Sequence, residues 1–254
     1  MIELHGVELA VGGRSLLGEI DATVAPGEFV ALLGRNGAGK TTLLRAIAGL
    51  HRAASGAILI DGRRSDVLAP LERAKRIAFV TGDEVFLEAL LVRDVVAIGR
   101  FAHHRWWQWN AGEEDAGAIA RALEAVRLEG LAHRLFSTLS AGERQRVWIA
   151  LGLAQDTPIL LLDEPTSHLD VAVAHEILSL LRRLAHAGKS VICALHDVNE
   201  AVAYADRVAL LGSGRLLGTP APQELNDGAL LEETYGIPFT RRGALLPLLD
   251  RPHV

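Results

Sequence analysis

Cysteine is almost absent: Cys193 is the only one in 254 residues, so no disulfide can form within the chain, and the sequence reads as one for a reducing compartment. An excess of positive charge is also missing. Lys and Arg total 26 against 31 Asp and Glu, a net charge of −5, which argues against a nucleic-acid binder working through a broadly basic surface. Long apolar runs are lacking too. The densest, Ile159 to Leu162, is cut short by Asp163 and Glu164, so nothing reads as a membrane span. The N-terminal MIELHGVELA has neither the basic start nor the apolar stretch of a signal peptide, and none is expected. There is no low-complexity tract and no internal repeat. What is present is half apolar and 22% charged, enough to bury a sizeable core, at a length that suits one core carrying an insertion.

Hydrophobic periodicity orders the chain. Ile2 to Val11 and Ser15 to Val24 alternate apolar with polar residues and predict short antiparallel strands. Glu28 to Leu33 is a buried-strand pattern, followed by the glycine-rich GRNGAGK and the helical TTLLRAIAGL. Ala57 to Ile60 and Ile77 to Val80 read as strands. From about 82 to 139 the pattern turns helical, with helices at Leu91 to Gly99 and Glu113 to Val126 and a tryptophan-rich segment, RWWQWN (Arg105 to Asn110), between them. That stretch reads as an inserted helical subdomain. Beyond it, helices at 141–155, 171–187 and 198–206 alternate with strands at 159–162, 190–195 and 207–211. Such alternation predicts an α/β fold: a mainly parallel sheet covered by helices, preceded by the N-terminal antiparallel strands. Gly212 to Gly214 reads as a hairpin turn, and the tail, 220–254, as a short peripheral extension.

Three clusters carry chemistry. Gly34, Gly39, Lys40 and Thr41 spell G-x-x-x-x-G-K-T after an apolar strand and before a helix, the context that marks a P-loop NTPase core. Such a loop, Gly34 through Arg35, Asn36, Gly37, Ala38 and Gly39 to Thr42, turns backbone N–H groups and a helix N-terminus toward phosphate oxygens. Lys40 would reach the β and γ phosphates of ATP, and the Thr41 hydroxyl would ligate Mg²⁺. The second cluster is Asp163 and Glu164 at the C-terminal end of a buried strand, where open α/β sheets place ligands. Asp163 would hold Mg²⁺, and Glu164 would polarise the attacking water as a catalytic residue. By itself the pair would equally suit a helix cap. The third is LSAGE, Leu139 to Glu143, in which Ser140 and Glu143 form a capping box; a serine and a glycine at a helix N-terminus also make a second anion site.

The ordered set GRNGAGKT, LSAGERQR, LLLLDEPTSHLD and ALHD resembles the ATP-binding subunit of ABC transporters over nearly the whole chain. The resemblance implies a single ABC ATP-binding domain over 1–254, with the helical subdomain inserted in a RecA-like core. It implies a homodimer that sandwiches two ATP molecules, with Ser140 and Gly142 clamping the nucleotide of the opposite subunit and Asp170 at the seam. His196 becomes the switch histidine contacting γ phosphate and attacking water, a second catalytic residue. The LSAGERQ form and the order GRFAHH…GEEDAGAIARALEAV are similar to importers of iron siderophores, haem and vitamin B12. This implies an ATPase on the cytoplasmic face of the cell membrane, docked on polytopic permease subunits and served indirectly by a periplasmic or surface binding protein. The alternative is a soluble ABC ATPase acting as an assembly module without a permease.

The sequence departs from the family at three points. Ala141 stands where a second signature glycine is usual. No glutamine occurs from Gly62 to Trp107, although the family carries one after the strand at 77–80. Gly82, Asp83 or Glu84 stands there, and Asp83 or Glu84, as an anionic oxygen donor, is expected to take over part of the Mg²⁺ contact. Val11 occupies the place of the aromatic that stacks on adenine, and the RWWQWN segment is either an exposed loop packed on the helical subdomain or part of a docking surface.

Overall fold

The computed structural model describes residues 1–81, 89–103, 112–237 and 239. The chain opens with an antiparallel hairpin, β1 (Ile2–Val11) and β2 (Arg14–Val24), paired from Ile2 with Val24 to Val11 with Arg14. β3 (Phe29–Gly34) leads through the glycine-rich loop into α1 (Lys40–Ile47). Then come β4 (Ser55–Ile60), β5 (Arg63–Arg64), α2 (Pro70–Ala74), β6 (Ile77–Val80), α3 (Val92–Ala97), α4 (Glu113–Ala125) and α5 (Ala141–Ala154). The second half alternates: β7 (Ile159–Asp163), α6 (Val171–His186), β8 (Ser190–Ala194), α7 (Val198–Tyr204), β9 (Arg207–Gly212), β10 (Arg215–Gly218) and α8 (Ala229–Tyr235).

Among the described residues the ten strands join one sheet in the order β5-β4-β1-β2-β10-β9-β3-β8-β7-β6. The β9-β3-β8-β7-β6 half is parallel, and the β5-β4-β1-β2 arm is antiparallel. β10 joins the two, antiparallel to β9 and tied to β2 by one parallel pair, Arg215 with Gly18. The parallel strands are covered on both faces, which explains why they are unbroken apolar runs rather than alternating ones. Phe29, Ala31 and Leu33 face a core shared with α5, α6 and α8, while Val30 and Leu32 face a second core with α1 and the antiparallel arm.

In β1 the buried residues are Ile2 and Leu4, then Val7 and Leu9, so the parity changes midway. A register shift between Leu4 and Val7 accounts for it, with Gly6 at φ 53. The bulge returns the apolar residues to one face, which a strictly alternating strand would not do. α5 packs on α3 and α4 and also on β6, so the helical layer reaches beyond residue 139 and ties itself to the sheet. The tail is less peripheral than its polar composition implies: Leu225 and Leu231 are buried in the larger core. Gly82, Asp83 and Glu84, and the RWWQWN segment, lie outside the described residues.

Candidate functional site

Gly34 ends β3 where a Cβ would come within 2.7 Å of the Leu211 carbonyl oxygen, so no larger residue fits. The loop then turns through Gly37 (φ 81) and Gly39 (φ 98), the latter capping α1 in a left-handed conformation that favours glycine. No side chain caps α1, and its first turn holds no acidic residue. Its N-terminal N–H groups and positive dipole end are therefore left to an anion. Lys40 is 5% exposed; its Nζ donates to the Gly34 carbonyl at 2.9 Å and lies 4.0 Å from Glu164 Oε1. Burial holds its pKa below the ordinary lysine value, against the opposing pull of Glu164 and Asp163.

β7 delivers two carboxylates with different surroundings. Burial pushes Asp163 above its usual pKa and the Glu164 charge adds to this, while a hydrogen bond from Thr41 and the charges of Arg45 and Lys40 oppose it. Its Oδ1 is buried without a hydrogen-bond partner. Glu164 takes the left-handed region (φ 54), with its N–H donating to Ala194 O at 3.2 Å. This conformation costs a non-glycine residue on the order of 1 kcal/mol or more and is found most often at functional sites. Its side chain stands between Lys40 and His196, whose Nε2 is 2.6 Å from Glu164 Oε2. His196 is separated from the end of β8 by one residue, Leu195, and Asp197 caps α7 by accepting the Asn199 N–H at 2.7 Å. Nearby, Thr166 Oγ1 donates to Glu200 Oε2 at 2.9 Å, and burial raises the Glu200 pKa.

These groups line one open cleft of about 840 Å³. Asn36, Gly37, Gly39, Lys40, Thr41 and Thr42 form its floor, Glu164 and His196 one wall, and Val11, 52% exposed, another. Gly34, Arg35 and Ala38 shape the loop without lining the cleft, and Asp163 lies beneath Thr41. Ser140, Gly142 and Asp170 are not part of it. They gather elsewhere, at the N-termini of α5 and α6, where a Cβ on Gly142 would touch Val173 at 3.4 Å. Ser140 Oγ accepts the Glu143 N–H at 3.3 Å, and Glu143 Oε2 accepts the Ser140 N–H at 2.7 Å, completing the capping box. Asp170 caps α6 through the Val173 N–H at 3.0 Å. The cleft also contains Leu16, Thr166, Ser167, His168, Asp197 and Glu200, which motif reading did not select. The polar run after Glu164 was a usable signal for Thr166 and Ser167. Leu16 carries none, because only the curl of the hairpin brings it beside Val11.

A P-loop at the end of a parallel strand, facing a carboxylate pair and a histidine, defines a nucleoside triphosphatase. The ABC transporter family profile matches residues 17–167. The chain is 43% identical to the hemin import ATP-binding protein HmuV of Streptomyces coelicolor, over 97% of this chain and 89% of that one. It is 36% identical to the ferric enterobactin transport ATP-binding protein FepC of Escherichia coli, over 92% and 87%. Among solved structures, an inward-facing ABC transporter of metal-chelate type superposes with a TM-score of 0.82 at 28% identity, covering 93% of this chain and 89% of that one. The chain belongs to the ABC transporter family, as an ATP-binding and ATP-hydrolysing subunit. Such subunits work as dimers with a membrane permease. Among the described residues no helix is long and apolar enough to cross a membrane.

Proposed function

We propose that this chain is a single ABC domain that powers import of an iron chelate, either haem or a ferric siderophore, from the cytoplasmic face of a membrane permease. The observation that carries the chemistry is the convergence of Lys40, Glu164 and His196 in one cleft, with Glu164 held between an ammonium and an imidazole. The P-loop residues, Gly34 to Thr42, hold the phosphates, and Lys40 moves from the Gly34 carbonyl to the β and γ oxygens. Glu164 orients and polarises the attacking water, and His196 exchanges its contact with Glu164 for the γ phosphate. The unpartnered Asp163 Oδ1 beside the Thr41 hydroxyl is a pair of hard oxygen donors, the kind of set that suits Mg²⁺ completed by water and phosphate. When bound, the ion offsets charge developing on the transferred phosphoryl group. Val11 gives the base an apolar contact.

Two copies assemble head to tail. Ser140 keeps a hydroxyl proton to donate even while its oxygen caps α5, so Ser140 and Gly142 of the partner subunit close over the γ phosphate, with Asp170 at the seam. The cargo class rests on the relatives, which are named for hemin and ferric enterobactin transport; this favours the importer over a permease-free assembly module. Replacing Glu164 with Gln tests the whole reading. The variant should bind ATP normally, accumulate as an ATP-bound dimer and lose roughly 100- to 10,000-fold in turnover. Cells carrying it should fail to grow on hemin or a ferric siderophore as sole iron source while growing on ferrous salts. Unimpaired growth on every iron source would overturn the importer reading, and near-normal turnover would overturn the role of Glu164.

A further inference from the structure

A second cavity, of about 280 Å³, is lined by the end of α4, by α5 and by α6, and shares no residue with the nucleotide cleft. Each of the three elements contributes an arginine: Arg127, Arg146 and Arg183. Glu176 is the acidic residue on the wall, and two of the arginines already share it, Arg127 Nη1 at 3.4 Å and Arg146 Nη1 at 3.6 Å. Arg183 has no carboxylate partner among the described residues. Three guanidiniums against one carboxylate leave two positive charges unmatched. His175, also on the wall, has its Nδ1 engaged with the Tyr204 hydroxyl.

Arg127 is held where an arginine is costly. It follows the last turn of α4 at φ 57, with its N–H donating to Glu124 O at 3.0 Å and the Leu128 N–H donating to Leu123 O at 2.9 Å. That paired ending needs a left-handed residue, and glycine is the one that takes the position without strain. The pair with Glu176 gives little in return, because the Arg127 side chain is 77% exposed and surface pairs of this kind are weak. Arg146 has the opposite difficulty. Its side chain is 21% exposed, yet it makes no hydrogen bond among the described residues: Nε is buried without a partner, and Nη1 stops short of Glu176. Buried polar groups are nearly always paired, so this wall is short of an acceptor. The rest of the lining includes the apolar Ile149, Ile177 and Leu180.

We propose that this cavity binds a small, doubly charged oxyanion, a phosphate or a dicarboxylate, held by Arg127, Arg146 and Arg183. Guanidinium forks match either group through paired N–H···O bonds, and a dianion balances the charge that Glu176 leaves over. A volume just below the usual range for ligand pockets suits a compact molecule rather than a nucleotide. Bound there, the anion ties α4 and α5 of the helical layer to α6.

The test uses the full chain at mildly alkaline pH, with inorganic phosphate and succinate as probes and chloride at matched ionic strength as the control. The melting temperature should rise with one probe or both, by roughly 3–5 °C at about ten times Kd, and not with chloride. Because phosphate also suits the P-loop, the titration is repeated in Lys40→Ala, which should keep the response. Arg183→Gln, at an exposed side chain, and Arg146→Gln should each weaken the probe about tenfold, the loss of a charge-assisted contact. Arg127→Gly separates ligand from scaffold: without anion it should melt higher than wild type, since the left-handed strain is gone, and its response to the probe should shrink. A response to phosphate alone assigns a phosphate site, and one to succinate alone a dicarboxylate site. No response to either probe overturns the proposal. So does a rise that persists unchanged in both glutamine variants, which would report general salt exclusion or the P-loop. An Arg127→Gly variant that melts lower without anion yet responds like wild type would make that arginine structural and overturn its place in the site.

Discussion

The N-termini of α1 and α5 present the same backbone groups and treat them in opposite ways. α1 begins at a left-handed glycine, has no capping side chain and no acid in its first turn, and keeps a buried lysine beside it. α5 begins at Ser140 with a reciprocal capping box, and the hydrogen bonds from Ser140 hold the Glu143 carboxyl below its usual pKa. One end is open to an anion and costs stability until an anion arrives; the other is satisfied within its own chain. The contrast teaches that a phosphate-binding end can be told from a merely well-formed helix end by what its sequence withholds. It also fits the proposal that α5 meets nucleotide only through a second copy of the chain.

The comparison can be broken most severely at the open end. Lys40→Ala removes the buried cation poised there and should weaken ATP binding roughly 10- to 100-fold, the loss of a charge-assisted bond, as read by nucleotide titration. Retained affinity would mean that the backbone alone holds the phosphates. At the closed end, Ser140→Arg should leave ATP binding by each monomer within about twofold while blocking ATP-driven dimerisation in light scattering. It should also lower stability by about 1 kcal/mol through the lost cap. An ATP-bound dimer of normal mass would remove the second end from the mechanism.

The cost of leaving the cleft open can be measured at Asp163. Its folded pKa lies above the ordinary 3.8, so its stabilising contribution is present below that value and lost as pH rises through the raised pKa. Asp163→Asn should therefore flatten the decline in nucleotide-free stability above pH 3.8 and raise the melting temperature at pH 7 by roughly 2–5 °C, even as Mg²⁺-dependent turnover disappears. A lower melting temperature would show the carboxylate to be well paired. The smallest effect is expected at the base. Val11→Tyr should tighten ATP binding about threefold, since stacking is worth roughly 1–3 kcal/mol and valine already recovers part of it, and should leave inorganic triphosphate binding alone. In wild type, GTP should compete with ATP within about tenfold.

Much of this was legible in the residues because burial on both faces leaves a plain mark. ILLLD, SVICA and the strand before GRNGAGK are apolar runs, and each is a parallel strand within a residue of its expected bounds. The P-loop and the Asp163–Glu164 pair were readable because glycines and charges interrupt such runs. The Gly6 bulge was not, since a parity change looks like imperfect alternation. Leu16 and Tyr235 were not either. A leucine on a hairpin and a tyrosine in the C-terminal tail acquire their neighbours from the curl of the sheet and the return of the chain, over separations that no local pattern records.

The order of the sheet also governs when the site can exist. β3, which ends in the P-loop, lies between β8 and β9, so its two ladder partners come from residues 190–212. Closing a loop of that span is entropically expensive and slow compared with pairing β1 to β2. During synthesis the strand that presents Lys40 has no ladder partner until about three-quarters of these 254 residues have been made. The antiparallel arm can form early and wait. The phosphate cradle, although it lies in the first fifth of these residues, is therefore among the last parts of the molecule to be locked, and a nascent chain cannot capture nucleotide before the strand that leads to His196 is in place.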